Sequence, residues 1–232
     1  MSSFRHLFFD LDRTLWDMER NANETLVELF DRYDLKSRGI ANSDLFIEHY
    51  NRYNDLLWDR YRKKLINKET LRVLRFKQTL VHLGVHDKKL ADKFDIDYIE
   101  EAPKKKNLIP GAIETLDALK GDFKFHIITN GFPEVQHHKI TNSGLDKYFD
   151  VVITSEGCGY AKPDARIFAY ALKKTGAKDA ESLMIGDDLQ IDIVGARKAG
   201  WSQVFFNPIK GEHKEKVTFE IKKLIELVTI LN

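Results

Sequence analysis

Two carboxylates and a hydroxyl follow a short apolar run near the start of the chain: Asp10, Asp12 and Thr14 come directly after residues 7–9. In a β-strand, side chains two positions apart share a face, and at a strand's end both carboxylates can converge on one point. Such a pair can divide a reaction between a nucleophile and a proton carrier, or bind a hard cation such as Mg²⁺. Asp-x-Asp alone is equally compatible with a solvated acidic turn.

Two further groups suit a bound phosphate. Thr129 and Asn130 end an apolar run, where a hydroxyl and free backbone amides can meet phosphate oxygens, although Asn-Gly is also a common turn dipeptide. Lys162 comes just before Pro163, which would start a helix. A lysine held there can neutralise a phosphate, or can simply lie in a surface loop.

A second acidic group follows the apolar run 183–186. Asp187 ends that run, so we expect its carboxylate to emerge at the same sheet edge as Asp10. Carboxylates gathered at one edge repel each other unless a cation compensates, and Mg²⁺ accepts such ligands. The alternative for Asp188 and Asp192 is that they cap a helix.

The elements that must position these residues alternate between strand and helix patterns over residues 1–17 and 106–232. Predicted strands cover 6–11, 123–129, 150–154, 183–186 and 203–206. Predicted helices cover 112–119, 134–143, 165–175, 192–199 and 217–231. This alternation predicts an α/β catalytic core, a Rossmann-like parallel sheet with helices on both faces.

The segment 18–105 differs, because it contains no convincing strand. Helices are predicted over 23–33, 43–65, 68–83 and 88–101. One helical stripe is either the inner face of a bundle or a surface that stacks on a base: Phe46, Tyr50, Tyr53, Leu57 and Tyr61. The segment is therefore predicted to be an inserted α-helical cap domain. Ligands of open α/β sheets bind beyond the carboxyl ends of the strands, so an insertion there could act as a lid.

Composition narrows the classes of partner. The net charge is +1, with 37 basic and 36 acidic residues, so no overall field favours a nucleic acid polymer or an anionic membrane. The single cysteine fits a reducing compartment, and no apolar run approaches the roughly 18 residues of a membrane span. We therefore expect a cytoplasmic protein without signal peptide or anchor, a monomer or weak homodimer, whose partner is a small phosphorylated metabolite.

Taken together, these groups are far more specific than any one alone. Their order, spacing and placement resemble the haloacid dehalogenase superfamily of phosphotransferases over the whole chain. Residues 10–14 match its first motif, residues 129–131 its second, Lys162 its third, and residues 186–188 with Asp192 its fourth. The helical insert resembles the subfamily I cap. Three stretches further resemble a 5′-nucleotidase branch of that subfamily: 127–132, 144–149 and 161–164.

The resemblance implies a role for each residue. Asp10 would attack phosphorus and become an aspartyl phosphate, and Asp12 would protonate the leaving oxygen and then deprotonate a water. Mg²⁺ would be bound by Asp10, Asp187 and the backbone carbonyl of Asp12. The remaining matched residues would hold the phosphoryl group (Thr129, Asn130 and Lys162) or support the metal ligands (Asp188 and Asp192).

Two positions refine the resemblance. Dehalogenases proper lack the second aspartate because they have no leaving oxygen to protonate. Asp12 is present here, which excludes dehalogenation. Many members carry glycine where this chain has Arg13, and that bulk could meet the cap or the leaving group of the substrate.

The leading hypothesis is a Mg²⁺-dependent phosphatase for small phosphate monoesters, with a nucleoside 5′-monophosphate as the favoured substrate. A sugar phosphomutase would share every catalytic residue and remains an alternative. A non-enzymatic protein that binds a phosphate ligand is the third reading. A signalling receiver domain is disfavoured, because its acidic pair precedes the acceptor aspartate and it needs no inserted helices.

Overall fold

The computed structural model describes residues 4–231. They form two compact units, one made of residues 4–18 and 106–231 and the other of residues 19–105. Residues 1–3 and 232, which the predicted core includes, lie outside the described residues. Along the described chain, no helix is both long and apolar enough to cross a bilayer.

Strands and helices alternate through the first unit, and helices alone make up the second. The strands are β1 His6–Phe9, β2 Lys124–Thr129, β3 Phe149–Thr154, β4 Ser182–Gly186, β5 Ser202–Phe206 and β6 Phe219–Ile221. The α-helices are α1 Met18–Arg32, α2 Ser43–Arg62, α3 Lys68–His82, α4 Lys88–Glu101, α5 Ala112–Leu119, α6 Pro133–Asn142, α7 Ser155–Cys158, α8 Ala165–Thr175, α9 Val194–Lys198 and α10 Glu226–Leu231.

All six strands belong to one parallel sheet in the order β3-β2-β1-β4-β5-β6. Consecutive side chains of β1 point to opposite faces of it. Leu7 and Phe9 pack in a core that includes α5 and α10, whereas Phe8 packs in a second core that includes α8 and α9. The predicted fold class, a parallel sheet with helices on both faces, is confirmed.

The central strands end at nearly the same level. Phe9 of β1 pairs with Ile127 of β2 on one side and with Ile185 of β4 on the other. Because parallel strands share their carboxyl edge, the residues that follow these three strands emerge side by side. This edge is where the sequence predicts the reactive groups.

The C-terminal helix predicted over 217–231 is wrong in its first half. Phe219 and Ile221 lie in β6, which pairs with the edge of β5, and a helix begins only at Glu226. The two residues are spaced by two, as in a strand, while the apolar residues further on keep helical spacing. Pairing with the open edge of β5 satisfies backbone groups that a helix would otherwise satisfy internally. Over residues 4–231 the sheet therefore has six strands rather than the five predicted.

The helical unit has an aromatic core. Phe46, Tyr50 and Leu57 of the predicted stripe are buried, which supports its reading as the inner face of a bundle. Arg75 is also buried there, within 5.9 Å of three aromatic ring centroids and 3.7 Å from Asp95. The role of this helical unit as a lid stays a prediction.

Candidate active site

Asp10 and Asp187 leave neighbouring strands at the same edge. The backbone N–H of Asp10 donates to the carbonyl of Ile185 over 2.8 Å, so pairing with β4 continues one residue beyond β1. Asp187 follows the last residue of β4. One carboxylate oxygen from each of Asp10, Asp187 and Asp192 lies within 4.8 Å of the others. The structure thus brings together three of the acidic residues predicted for the site.

Asp192 reaches this group from a π-helical turn, Leu189–Ile193, where the sequence predicts the start of an α-helix. Its Oδ2 accepts a hydrogen bond from the backbone N–H of Asp188 over 3.1 Å. A Cβ at Gly186 would lie 2.3 Å from that oxygen and 2.6 Å from the Cβ of Asp192. Glycine at the end of β4 is therefore what lets Asp192 cross the strand end.

Lys162 holds two of these carboxylates together. Its Nζ lies 2.6 Å from Oδ1 of Asp10 and 2.6 Å from Oδ1 of Asp192, and only 2% of its side chain is exposed. The alternative of a surface lysine is wrong. Asn130 fixes the backbone of Lys162, accepting from its N–H over 2.8 Å and donating to its carbonyl over 3.0 Å. In this structure the Asn130 side chain, predicted to bind phosphate, positions Lys162.

Burial and crowding disfavour the charged forms of the three aspartates. Burial raises the pKa of Asp10 well above its usual range, with Lys162 opposing the shift and the other aspartates adding to it. Burial and the charge of Asp192 raise the pKa of Asp187 to about 7, and burial also raises the pKa of Asp192. Burial alone would lower the pKa of Lys162, but Asp10 and Asp192 raise it. Three carboxylates face one ammonium, so the cluster lacks positive charge.

These residues fit a hard divalent cation. Both oxygens of Asp192 already have partners, in Lys162 and the N–H of Asp188. Oδ1 of Asp10 meets Lys162 and Oδ1 of Asp187 accepts from Thr14 over 3.1 Å, whereas Oδ2 of each receives no hydrogen bond from the described residues. Two carboxylates with open oxygens match the ligands that Mg²⁺ prefers.

Asp12 points to a different set of partners. Its Oδ1 lies 2.6 Å from Nζ of Lys139, and its Oδ2 accepts from Nε2 of Gln136 over 2.9 Å. Sequence analysis missed both partners, which lie three positions apart on α6. The sequence shows only that Gln136 and Lys139 share a helical face with Phe132 and Ile140. The structure adds that all four side chains are buried. A lysine and a glutamine are unusual on a helix face that packs against a sheet, so they are candidates for a functional role.

The hydroxyl of Thr129 is prepared to donate. Its Oγ1 accepts from the N–H of Gly131 over 3.1 Å and from Nε2 of Gln136 over 2.7 Å. A hydroxyl has two acceptor positions and one proton, so both acceptor positions are in use and the proton is left for another acceptor. A phosphate oxygen is such an acceptor.

Asp188 and Arg13, which the sequence singled out, lie beside the acidic cluster. Oδ1 of Asp188 accepts from the N–H groups of Gln190 and Ile191, so its side chain is a helix cap, the alternative that the sequence left open. Arg13 adopts φ +65°, the left-handed region that favours glycine. The charge of Arg13 lowers the pKa of Asp187, against the larger effects of burial and Asp192.

Comparison with known proteins gives consistent results. Residues 4–200 match the family model of the haloacid dehalogenase-like hydrolases. The pyrimidine 5′-nucleotidase YjjG of Escherichia coli is 32% identical, over 97% of this chain and 96% of the relative. The pyrimidine 5′-nucleotidase PynA of Streptococcus pneumoniae is 29% identical, over 99% of this chain and 95% of the relative.

A similar solved structure is that of the putative HAD-hydrolase YfnB from Bacillus subtilis, bound to magnesium. It has a TM-score of 0.88 and 28% identity, and the match covers 99% of both chains. These findings confirm the predicted enzyme class, a phosphoric monoester hydrolase. The chain belongs to the haloacid dehalogenase-like hydrolase family.

Proposed function

We propose that this protein is a Mg²⁺-dependent phosphatase that hydrolyses a pyrimidine nucleoside 5′-monophosphate through an aspartyl phosphate on Asp10. The observation that carries the chemistry is the separation of two aspartates into different environments. Asp10 lies in the acidic cluster and is itself buried against Lys162, whereas Asp12 is bound by Lys139 and Gln136. Two carboxylates two positions apart with different partners can take different roles.

In the first step, a carboxylate oxygen of Asp10 attacks phosphorus. The bond between phosphorus and the leaving oxygen breaks, and Asp12 gives that oxygen a proton. The ammonium of Lys162 and the hydroxyl of Thr129 are fixed donors for the phosphoryl oxygens. Preorganised donors of this kind stabilise the charge that spreads over those oxygens during transfer.

In the second step, the carboxylate of Asp12 takes a proton from a water. The water oxygen bonds to phosphorus, the bond to Asp10 breaks, and the carboxylate of Asp10 is restored. Inorganic phosphate and an alcohol are the net products.

Asp10, Asp187 and the backbone carbonyl of Asp12 would hold the Mg²⁺. When bound, the cation supplies the positive charge that the three clustered carboxylates lack and that a phosphate dianion needs in order to approach a carboxylate. The cluster of Asp10, Asp187 and Asp192, with one lysine among them, supports this assignment.

The substrate is supported by the relatives rather than by a described contact. Two relatives that align over nearly the whole chain are named as pyrimidine 5′-nucleotidases. The resemblance of 127–132, 144–149 and 161–164 to the nucleotidase branch points the same way. Pyrimidine nucleoside 5′-monophosphates are therefore the first substrates to test.

The test is phosphate release from a panel of esters, each with Mg²⁺ and with chelator. The panel includes pyrimidine and purine nucleoside 5′-monophosphates, a nucleoside 3′-monophosphate, hexose phosphates and an aryl phosphate. We expect Mg²⁺-dependent release with the highest kcat/KM on the pyrimidine 5′-monophosphates. Equal kcat/KM on hexose phosphates would overturn the substrate assignment, and transfer of phosphate between sugar hydroxyls without release would indicate a mutase.

A further inference from the structure

One face of α6 presents two polar side chains to Asp12. Nζ of Lys139 and Nε2 of Gln136 each meet a different carboxylate oxygen, at 2.6 Å and 2.9 Å. The Lys139 side chain is only 8% exposed, and Gln136 is fully buried. Burying a lysine is costly unless it is paired, so this contact differs from an exposed ion pair that forms and breaks freely.

Lys139 is held from a second side by Trp16. Its Nζ lies 4.3 Å from the centroid of the Trp16 ring, and that ring is itself buried. The backbone N–H of Arg13 donates to the carbonyl of Trp16 over 2.9 Å, which closes the turn that carries Asp12. The ammonium thus lies between the carboxylate and an aromatic ring of the same turn, and it ties that turn to α6.

Gln136 joins Asp12 to the phosphate-binding hydroxyl. The same Nε2 that donates to Asp12 also donates to Oγ1 of Thr129 over 2.7 Å. A Cβ at Gly131 would lie 2.4 Å from the amide carbon and nitrogen of Gln136, so the amide fills the space that this glycine leaves. One side chain therefore sets the distance between the proton carrier and Thr129.

We propose that Gln136 and Lys139 are positioning residues that hold the carboxylate of Asp12 for both proton transfers. This inference rests on the proposed function, because it concerns the residue assigned there as acid and base. Each donor occupies one acceptor position of one oxygen, and the other positions stay open to carry a proton. A misplacement of about 1 Å can cost about 10²-fold in rate, so freeing the carboxylate should slow the steps that use it.

The test compares Lys139→Met with Lys173→Met, the same substitution at an exposed position in α8. An aryl oxide leaves phosphorus without protonation, whereas the alkoxide of a nucleoside needs a proton. With an aryl phosphate, the first turnover of Lys139→Met should stay fast and release a burst of the phenol equal in amount to the enzyme. Its steady-state rate should then fall by about 10- to 100-fold, because only the water step needs Asp12. With a nucleoside monophosphate the first step also needs Asp12, so the burst of nucleoside should be absent and kcat should be reduced.

Lys139→Arg and Gln136→Leu complete the test. Arginine keeps the charge and the donors, so it should restore the steady-state rate to within a few-fold of the parent. Gln136→Leu keeps the ion pair and still tests the proposal if Lys139→Met does not fold; it should show the same burst with a smaller steady-state loss. A parental rate in Lys139→Met, or an equal loss in burst rate and steady state, would overturn the proposal. Failure of the proposed function looks different, since the parent enzyme would then release no phosphate, or would release it equally well from hexose phosphates.

Discussion

The ammonium of Lys162 lies 2.6 Å from Oδ1 of Asp10, and both side chains are buried. The proposed nucleophile is thus paired with a positive charge before any substrate binds. A dianionic phosphate approaching a bare carboxylate would be repelled, so we expect this pair to lower the barrier by charge neutralisation as much as by position.

Replacing Lys162 with methionine should therefore slow the reaction while keeping most of the side-chain volume. We expect kcat/KM to fall by about 10²- to 10³-fold, the usual cost of removing one preorganised electrostatic group. Steady-state kinetics on the best substrate measure the change, with Lys173→Met as the control for loss of a positive charge. An unchanged kcat/KM would contradict the role of Lys162.

Replacing Asp10 with asparagine should abolish turnover and leave the protein folded. The amide cannot form the acyl phosphate. The substitution also removes a carboxylate whose charged form is disfavoured, because burial raises the pKa of Asp10. The melting temperature in the absence of metal should therefore equal or exceed that of the parent. Mass spectrometry after mixing with substrate should detect a phosphorylated intermediate on the parent only. Hydrolysis by the variant at the parent rate would rule out Asp10 as nucleophile.

The residues that follow strands were the most predictable part of this protein. Asp10, Thr129 and Asp187 each end an apolar run, and parallel pairing brings such ends to one edge. Their convergence follows from the sheet alone. Lys162 comes from a loop rather than a strand, so its burial could be expected from the family resemblance but not from periodicity.

The partners of Asp12 and the last strand were not predictable in the same way. Lys139 and Gln136 depend on how α6 packs against the first turn, which is a contact between positions more than 120 apart in sequence. The segment 217–231 has apolar residues at spacings that suit both a strand and a helix. Only the free edge of β5 decides for a strand at Phe219–Ile221. Tertiary pairing outweighed local pattern there.

Mg²⁺ should stabilise the folded protein, and Asp187 should be required for that effect. A ligand that binds only the folded state raises its stability, by about 2.7 kcal/mol at 100 times the dissociation constant. We predict that Mg²⁺ raises the melting temperature of the parent and that Asp187→Asn loses this increase. The variant without metal should melt at or above the parent, because one carboxylate of a crowded cluster is gone. Asp122→Asn, at an exposed position, is the control and should keep the full response to Mg²⁺.

A buried histidine pair should make stability depend on pH. Nδ1 of His6 and Nε2 of His126 lie 2.9 Å apart. Burial is the largest cause that lowers the pKa of His126, to about 4, and the charge of His6 is the second largest. Below pH 6.5 the unfolded chain binds a proton that the folded chain does not. The stability that neutral His126 contributes is therefore present above pH 6.5 and is lost as the pH falls toward 4.

From pH 7 to pH 5 this effect should lower the free energy of unfolding by about 2 kcal/mol. Urea denaturation of the parent, His126→Gln and His138→Gln at both pH values measures it. His126→Gln should show a smaller fall between the two pH values, and exposed His138→Gln should show the parental fall. Equal falls in the parent and His126→Gln would mean that His126 does not carry this linkage.

Gly131→Ala should disturb Asp12 without removing any polar group. The new methyl would lie 2.4 Å from the amide of Gln136, so that side chain must move and give up its bonds to Asp12 and Thr129. We expect a loss of about 1–3 kcal/mol in stability, as in other overpacked sites. We also expect a lower kcat on nucleoside monophosphates. Gly211→Ala is the control, because a Cβ at Gly211 would lie 3.7 Å from its nearest neighbouring atom.

The double variant Gly131→Ala/Gln136→Ala separates crowding from the lost hydrogen bonds. Truncating Gln136 makes room for the methyl, so the stability loss should be less than the sum of the two single losses. Activity should stay low, because Asp12 still lacks its amide donor. Additive stability losses would show that the methyl does not act through Gln136. Recovery of kcat in the double variant would mean that the amide has no part in positioning Asp12.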